Sequence, residues 1–256
     1  MAGETISFGR VFGRAFGTIG RNPLVVLGLA FVCSALPAFI LRFLTSGIRP
    51  AFANGDARPL LFLVTVGGWL LSFVGNALVQ GALVRVVLAE DEGRRATFVA
   101  SLMSTLPLVL PLVAVGILTG LGVMLGMMVL IIPGIILILR WSVVVPVVIA
   151  ERTGVSEAFG RSRELTEGAR WKILGLFLVV AAIMFMVAVV GVVIAMSMGA
   201  NPDGADDGFN PVTSIVTLIM NTTVSAIGAM LAASLYIELR NWKDGPQTRA
   251  LGEIFA

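Results

Sequence analysis

Residues suited to chemistry are few in this chain. Histidine is absent and Cys33 is the single cysteine, so the usual general base near neutral pH and the commonest metal ligand are both missing. No nucleophile and base occur in a pattern typical of covalent catalysis, and no run of acidic residues is typical of a metal site. The sequence therefore predicts no catalytic residue, no metal and no cofactor, and we expect the chain not to be an enzyme.

Arg140 is a charged side chain inside an apolar run. Arg140 stands seven residues after Pro133, roughly 10 Å into the hydrocarbon at 1.5 Å per residue, where an isolated charge costs at least about 2.5 kcal/mol. Water, a lipid phosphate or carbonyls freed near Pro146 could compensate the charge. Polar side chains that could also do so, and that we predict as a binding set with Arg140, are Asn76, Gln80 and Asn221.

Three roles for Arg140 stay open. In the first, its long stem lets the guanidinium reach the membrane interface, so that it binds nothing. In the second, Arg140 faces the interior of the bundle and binds an anionic headgroup or substrate. In the third, it has a purely structural hydrogen-bonded role. The sequence alone does not separate them.

The composition excludes an ordinary soluble domain. Hydrophobic residues make up 57% of the 256 residues and charged residues only 13%, about half the charged share of a typical soluble domain, and the mean hydropathy is +0.99. The 18 Lys and Arg residues are scattered between long apolar runs, which favours membrane topology over nucleic-acid binding as their explanation. We expect a polytopic membrane protein with no nucleic-acid partner.

The apolar runs predict six transmembrane helices, arranged as three hairpins in an all-α membrane fold. The first run, from Pro23, is too long for a typical signal-peptide core, which is the competing interpretation. No charge occurs from residue 107 to 139, and we expect Pro133 and Gly134 to split this stretch. The predicted spans are 23–44, 60–89, 107–131, 133–150, 171–198 and 212–237.

An amphipathic segment precedes each pair of spans, and we predict that each lies in the membrane interface. The three segments cover about residues 5–21, 97–106 and 155–167. In the third, Glu157 and Arg161 have the spacing of an ion pair, and Gly168 is placed to end the helix. The predicted interfacial residues are Phe12, Phe16, Phe159, Arg161, Arg163 and Trp171.

These elements define one membrane domain over residues 1–256. Its parts are an interfacial helix at 1–22, a first hairpin at 23–95, a second unit at 96–151, a third unit at 152–238 and a tail at 239–256. On the third span, Gly116 and Gly120, like Gly122 and Gly126, have the spacing of close helix packing. A pore-lining role is the alternative for these glycines.

The distribution of basic residues predicts the orientation. With Arg140 set aside, fourteen Lys and Arg residues fall in segments on one side of the six spans and three on the other. Because basic residues accumulate in cytoplasmic loops, we expect both termini in the cytoplasm. The acidic loop with Asp203, Asp206 and Asp207 then faces outward.

The stretch from Pro133 to Lys172 resembles a bacterial inner-membrane family related to the membrane domain of glycerophosphodiester phosphodiesterases. The resemblance rests on a PG-containing span, an acidic-basic turn and the following motif residues: Glu157, Ala158, Arg161, Ser162, Leu165, Thr166, Gly168 and Trp171. It implies a location in the bacterial inner membrane. In the phosphodiesterases such a module is fused to a separate catalytic barrel, for which we expect no counterpart here, so no catalytic residue carries over.

Three classes of function are compatible with these features. A non-catalytic membrane protein that organises lipid or a partner protein is favoured, because basic amphipathic segments attract anionic lipid at about 1 kcal/mol per basic residue. A small transporter or channel for a lipid-like or anionic solute is the alternative. It is supported by polar stripes in the second and sixth spans, which consist of Ser72, Asn76 and Gln80, and of Thr213, Thr217, Asn221 and Ser225. A membrane enzyme is the least favoured. Expected partners are membrane lipids, including anionic ones, and a partner membrane protein or a second copy of the chain.

Overall fold

The computed structural model describes residues 7–41, 43, 58–94, 97–197 and 211–245. Within these ranges every regular element is helical. Most of the predicted loop 45–59, the acidic loop with Asp203, Asp206 and Asp207, and the tail beyond residue 245 lie outside the described residues.

Ten helices follow one another in the described part of the chain, and six stretches are long and apolar enough to cross a membrane. The predicted all-helical fold with six spans is therefore confirmed, whereas the pairing into hairpins and the interfacial position of the amphipathic segments stay predictions. The helices are α1 Phe8–Arg21, α2 Pro23–Leu41, α3 Arg58–Asp91, α4 Phe98–Thr105, α5 Val109–Val129, α6 Ile131–Arg140, α7 Val144–Glu151, α8 Val155–Thr166, α9 Arg170–Ser197 and α10 Pro211–Asp244.

The third and fourth spans separate at Leu130, three residues before the predicted break. Leu130 is extended, with φ −163° and ψ 147°, and α6 begins at Ile131. Pro133 thus lies in the first turn of a helix, where its missing N–H leaves no intrahelical bond unmade. The proline and glycine start the fourth span instead of separating two spans.

The fourth span is itself interrupted, which the sequence pattern does not predict. After α6 ends at Arg140, residues 141–143 form a turn, and α7 resumes at Val144. Pro146 again lies in a first turn, so one cause explains both interruptions: each proline begins a new helix.

Glycines let α5 and α6 pack closely. A Cβ atom on Gly126 would lie 3.1 Å from the Cα of Gly134, and one on Gly122 would lie 2.4 Å from the Trp141 ring. A Cβ on Gly116 would come within 2.9 Å of Phe73. These contacts agree with the close-packing interpretation of the glycine pairs. Gly120 faces open space, because a Cβ there would meet no atom within 4 Å.

The protein core lies toward one end of the bundle, which we call the basic end. The basic end comprises the C-terminal ends of α3 and α10, all of α7, and the turns that follow α3 and α7. Five of the eight side chains of α7 are buried, as are most of those at residues 79–87 of α3 and 226–239 of α10. By contrast α5 and α9 expose apolar side chains along much of their length, as expected of helices that face lipid.

A polar junction joins α2, α3 and α10 away from the basic end. The Ser34 hydroxyl donates to Asn76 Oδ1 at 3.0 Å and lies 3.3 Å from the Ser225 hydroxyl. Ser34 belongs to a π-helical turn, Phe31–Ala35. A Cβ on Gly75 would lie 2.2 Å from the Cys33 carbonyl oxygen, so only glycine permits this approach of α2 to α3.

Candidate functional site

Ion pairs fix α1 to the basic end. Arg10 Nη2 lies 2.7 Å from Glu238 Oε1, and the same carboxylate accepts a hydrogen bond from the backbone N–H of Ser7 at 3.1 Å. Arg14 pairs with Asp91 at 3.9 Å, and Arg21 pairs with Glu90. The arginines therefore join the first helix to the ends of α3 and α10.

Helix α1 packs one face against the rest of the protein. Val11 and Ala15 are buried, and Phe12 packs against the core beside them. Phe16 stacks on Phe12 with 6.2 Å between ring centroids but is 46% exposed. The helix thus buries its small apolar side chains in protein and leaves Phe16 facing outward.

Helix α8 closes the break in the fourth span. The turn at 141–143 leaves the carbonyl of Arg140 without a helical partner, and the Ser162 hydroxyl donates to it at 2.8 Å. Beside this bond the Phe159 ring meets the Trp141 ring edge-on, with centroids 5.0 Å apart. Ala158, Leu165 and Thr166 complete a fully buried face. Because α8 packs on protein along this face, several residues of the motif act in packing.

Arg161 is the centre of a charged cluster. Its Nε donates to both oxygens of Glu151 at 3.3 Å, its Nη1 donates to Glu164 at 3.1 Å, and its Nη2 donates to Asp244. Tyr236 donates its hydroxyl to Glu151 at 3.0 Å. This cluster ties α7, α8 and α10 together.

The predicted pair between Glu157 and Arg161 is wrong. The Glu157 carboxylate instead accepts a hydrogen bond from the Gly154 N–H at 3.3 Å, as expected for an acidic residue in the first turn of a helix. Burial lowers the pKa of Arg161, but its bonds to Glu164 and Asp244 and the charges of Glu151 and Asp244 outweigh that effect and raise the pKa. Arg161 is therefore charged throughout the physiological range of pH.

Helix α4 is inverted relative to an amphipathic helix of a soluble protein. Its polar residues Ser101 and Thr105 are buried. Thr105 packs on Gly81 of α3, and the Thr105 hydroxyl donates to the Ser101 carbonyl at 2.8 Å. Val99 and Met103 are exposed, Met103 by 65%. Such a helix suits an apolar environment, with its hydroxyl groups turned toward protein.

A cavity of about 310 Å³ opens between the end of α3, helix α4 and the end of α7. Three arginines and one glutamate supply its charged lining, and hydroxyl-bearing residues of α4 and the turn before it supply most of the remaining polar groups. Arg94 bonds Glu92. The polar lining residues are Arg85, Glu92, Arg94, Thr97, Ser101, Ser104 and Arg152.

Two arginines of this cavity are held under unfavourable conditions. Arg85 has a buried Nε without a hydrogen-bond partner, and the like charge of Arg152 acts on it. Arg152 has φ 51° and ψ 33°, a left-handed conformation that costs a non-glycine residue about 1–3 kcal/mol. Within the described residues no other non-glycine residue has a positive φ. The strained backbone of Arg152 and its like charge toward Arg85 therefore occur in the same cavity.

Among the described residues, no hydrogen bond joins Arg140 to Asn76, Gln80 or Asn221, and the predicted binding set stays a prediction. Asn76 bonds Ser34 and the Ser72 carbonyl, whereas Gln80 and Asn221 are exposed. Arg140 ends α6 with a partly buried side chain, and its Nε is buried without a hydrogen-bond partner. Its position beside α8 places it close to the basic end.

Two further predicted interfacial residues, Arg163 and Trp171, are exposed, Trp171 by 86%. Arg85 and Arg152 are site residues that the sequence pattern does not predict. A signal for Arg85 is nevertheless present, since it is a charge within the apolar run 60–89. Among the described residues, no group of three His, Cys, Asp or Glu side chains could hold a metal ion.

Residues 112–250 match the model of a protein family, the membrane domain of glycerophosphoryl diester phosphodiesterase. That range is more than half of the chain. The chain belongs to this family. The phosphodiesterase membrane-domain match takes in α6, α7, α8 and their cluster around Arg161, together with Arg152, whereas Arg85 and Arg94 lie before it.

A UPF0259 membrane protein of Pectobacterium carotovorum subsp. carotovorum (strain PC1) is similar to this family member, with 23% identity over 113 residues. The similarity covers 44% of this chain and 45% of the relative. No solved structure matches. Together with the six apolar helices, the comparisons support a multi-pass membrane protein.

Proposed function

We propose that this chain is a non-catalytic protein of the bacterial inner membrane that organises anionic lipid at the cytoplasmic surface. The observation that carries the proposal is the construction of the basic end. There, α1 and α8 are fixed to the bundle by ion pairs, while exposed apolar side chains remain next to basic ones. A partner protein held at the same surface is the other outcome of the test.

The fixed helices support a lipid-facing role. Ion pairs from Arg10 and Arg14 hold α1 against the ends of α10 and α3, so that Phe16 stays exposed beside them. Met103 of α4 and Trp171 at the start of α9 are also exposed. Apolar and aromatic side chains interleaved with arginine favour the headgroup region.

The proposed orientation rests on charge. Ion pairs and the cavity lining bring basic residues of α1, α3, α7, α8 and their adjoining turns to the same end of the bundle. An excess of arginine on one side of the membrane favours the cytoplasmic side. A negative inner-leaflet surface would add attraction of about 1 kcal/mol for each basic residue near it.

The hydrogen bonds of the polar stripes support this proposal over a transporter or channel. On α10, the hydroxyl of Thr217 donates to the carbonyl of Thr213, four residues earlier in the same helix. The Ser34 hydroxyl contacts both Asn76 and Ser225. Groups with intramolecular partners are less available to a passing solute, and such contacts are common helix–helix packing in membranes.

Purification of the full chain in native nanodiscs tests the proposal. We expect the discs to be enriched in anionic lipid relative to the bulk membrane, as measured by mass spectrometry of the extracted lipids. A disc prepared with an unrelated six-span protein of similar net charge is the control. Lipid in bulk proportion together with one stoichiometric protein would favour the partner protein. Solute flux through reconstituted vesicles would favour the transport alternative.

A further inference from the structure

We infer that the cavity lined by Arg85, Arg94 and Arg152 binds a phosphate-bearing anion. The inference deepens the proposed function, because it gives the anionic lipid a defined site, and it rests on that function only for the source of the phosphate. A lipid headgroup and a free phosphate share the chemistry, and the experiment separates them.

The donors of the cavity are those that phosphate requires. An arginine presents several N–H groups in a planar fork that matches phosphate oxygens in bidentate geometry. Three such forks line this cavity, and the hydroxyls of Thr97 and Ser101 lie on the wall that α4 and the turn before it form, whereas the Ser104 hydroxyl donates to the Ser101 carbonyl at 3.0 Å. Among the described residues of the lining, Glu92 is the only acidic one, and its carboxylate is already bonded to Arg94.

Without an anion this arrangement is unfavourable. The like charge of Arg152 acts on Arg85 together with the opposite charge of Glu92, and the buried Nε of Arg85 has no hydrogen-bond partner. A buried unpaired polar group and two neighbouring positive charges both destabilise the folded chain. A bound dianion or monoanion would supply the missing acceptor and compensate the charge.

The backbone at Arg152 is consistent with a positioned ligand group. Glu151 turns to the Arg161 cluster, whereas Arg152, one residue later, lines the cavity. The left-handed backbone of Arg152 lies where the chain changes from the Arg161 cluster to the cavity. Strain of this kind persists where the surrounding structure enforces it, often at ligand sites.

The size of the cavity limits the ligand. A volume of about 310 Å³ is at the lower end of the range for small-molecule sites. Leu88 and Ile149 contribute apolar lining beside the polar wall. The cavity therefore fits a phosphate with a small substituent, such as a lipid headgroup whose acyl chains remain outside.

Two variants remove the charges without disturbing the fold. Arg85→Gln removes a buried unpartnered group and one of two like charges, so the free protein should be at least as stable as the wild type. Arg152→Asn removes the other charge and keeps a residue that tolerates positive φ. Lys172→Gln is the control, because it removes the same charge from an exposed side chain outside the cavity.

The full-length proteins are compared in phosphatidylcholine nanodiscs with two probes. The first is inorganic phosphate against chloride at constant ionic strength, with the unfolding midpoint followed by reaction of Cys33 with a thiol dye. The second is phosphatidylglycerol mixed into the disc, with retained lipid counted by native mass spectrometry. We expect wild type and Lys172→Gln to bind at least one probe. Both cavity variants should bind it about tenfold more weakly, since a hydrogen bond to a charged group contributes at least that much.

The two arms identify the source. Retention of phosphatidylglycerol without a phosphate effect indicates a lipid headgroup, and a phosphate effect in pure phosphatidylcholine indicates a free phosphate or phosphate ester. Equal loss in Lys172→Gln and the cavity variants would overturn the cavity site while leaving a diffuse lipid-binding surface intact. Failure of the wild type to bind either probe would overturn the inference, whereas the native-disc enrichment tests the proposed function separately.

Discussion

At the scale of single residues, Ser162 illustrates how the motif acts. Its side chain is fully buried on α8 and donates to the carbonyl that the turn after α6 leaves without a helical partner. A buried carbonyl without a donor costs about 1–3 kcal/mol. The serine thus offsets the cost of interrupting the fourth span.

We expect Ser162→Ala to lower the free energy of unfolding by about 1–3 kcal/mol, because the Arg140 carbonyl would lose its donor. The matched control is Ser156→Ala on the same helix, where the side chain is exposed and the change should be nearly neutral. Unfolding is followed in detergent through the exposure of Cys33 to a thiol dye. Equal midpoints for the two variants would show that the hydrogen bond contributes nothing measurable.

Arg140 itself yields a second prediction at this scale. Its buried Nε makes no hydrogen bond, so Arg140→Leu should raise the unfolding midpoint, whereas Arg140→Lys should not. If the arginine also binds an anionic headgroup, Arg140→Leu should reduce the lipid retained in native discs. A more stable leucine variant with unchanged lipid would leave the arginine without a binding role.

At the scale of helices, one glycine decides how α2 meets α3. Gly75 and Gly67 both belong to α3, but a Cβ at Gly75 would lie 2.2 Å from the Cys33 carbonyl oxygen, whereas a Cβ at Gly67 would meet no atom within 4 Å. A backbone atom cannot move aside as a flexible side chain can. The same substitution should therefore have opposite effects at the two positions.

We predict that Gly75→Ala destabilises the fold and weakens the junction of Ser34, Asn76 and Ser225, because α2 must move outward. Gly67→Ala should be neutral or should stabilise by up to about 1 kcal/mol, the difference in helix propensity. Thermal unfolding of both variants in the same detergent gives the comparison. A Gly75→Ala variant as stable as Gly67→Ala would show that the contact between α2 and α3 is loose.

The sequence predicts where helices exist better than where they stop. The apolar runs indicate six spans correctly, since length and hydropathy alone determine whether a helix can cross. In the sequence, Pro133 predicts a break between two helices. Proline is tolerated in the first turn of a helix, however, and the helices separate at Leu130 instead. The interruption at 141–143 precedes Pro146, but the hydroxyl that Ser162 of α8 donates to the freed Arg140 carbonyl is a tertiary contact that no local pattern reveals.

At the scale of the whole molecule, the candidate cavity could not be predicted from spacing. Arg85 and Arg94 end one span, and Arg152 ends another; only the packing of α3, α4 and α7 brings them together. In the sequence, all three contribute only to the assignment of a side of the membrane. Arg140 stands out in the sequence because the apolar residues around it are visible there. The tertiary contacts of an arginine are not visible in the sequence.

The last prediction concerns the orientation of the whole chain. Fourteen basic residues on one side against three on the other favour a cytoplasmic basic end, since positively charged loops are retained on that side. In a Cys33→Ser background, single cysteines at Ala57 and Ala205 should react with an impermeant thiol reagent added to sealed cells. A cysteine at Thr248 should react only after the membrane is opened. Labelling at Thr248 in sealed cells would reverse the orientation and remove the inner-leaflet lipid from the proposed function, because the arginines of the basic end would then face the periplasm.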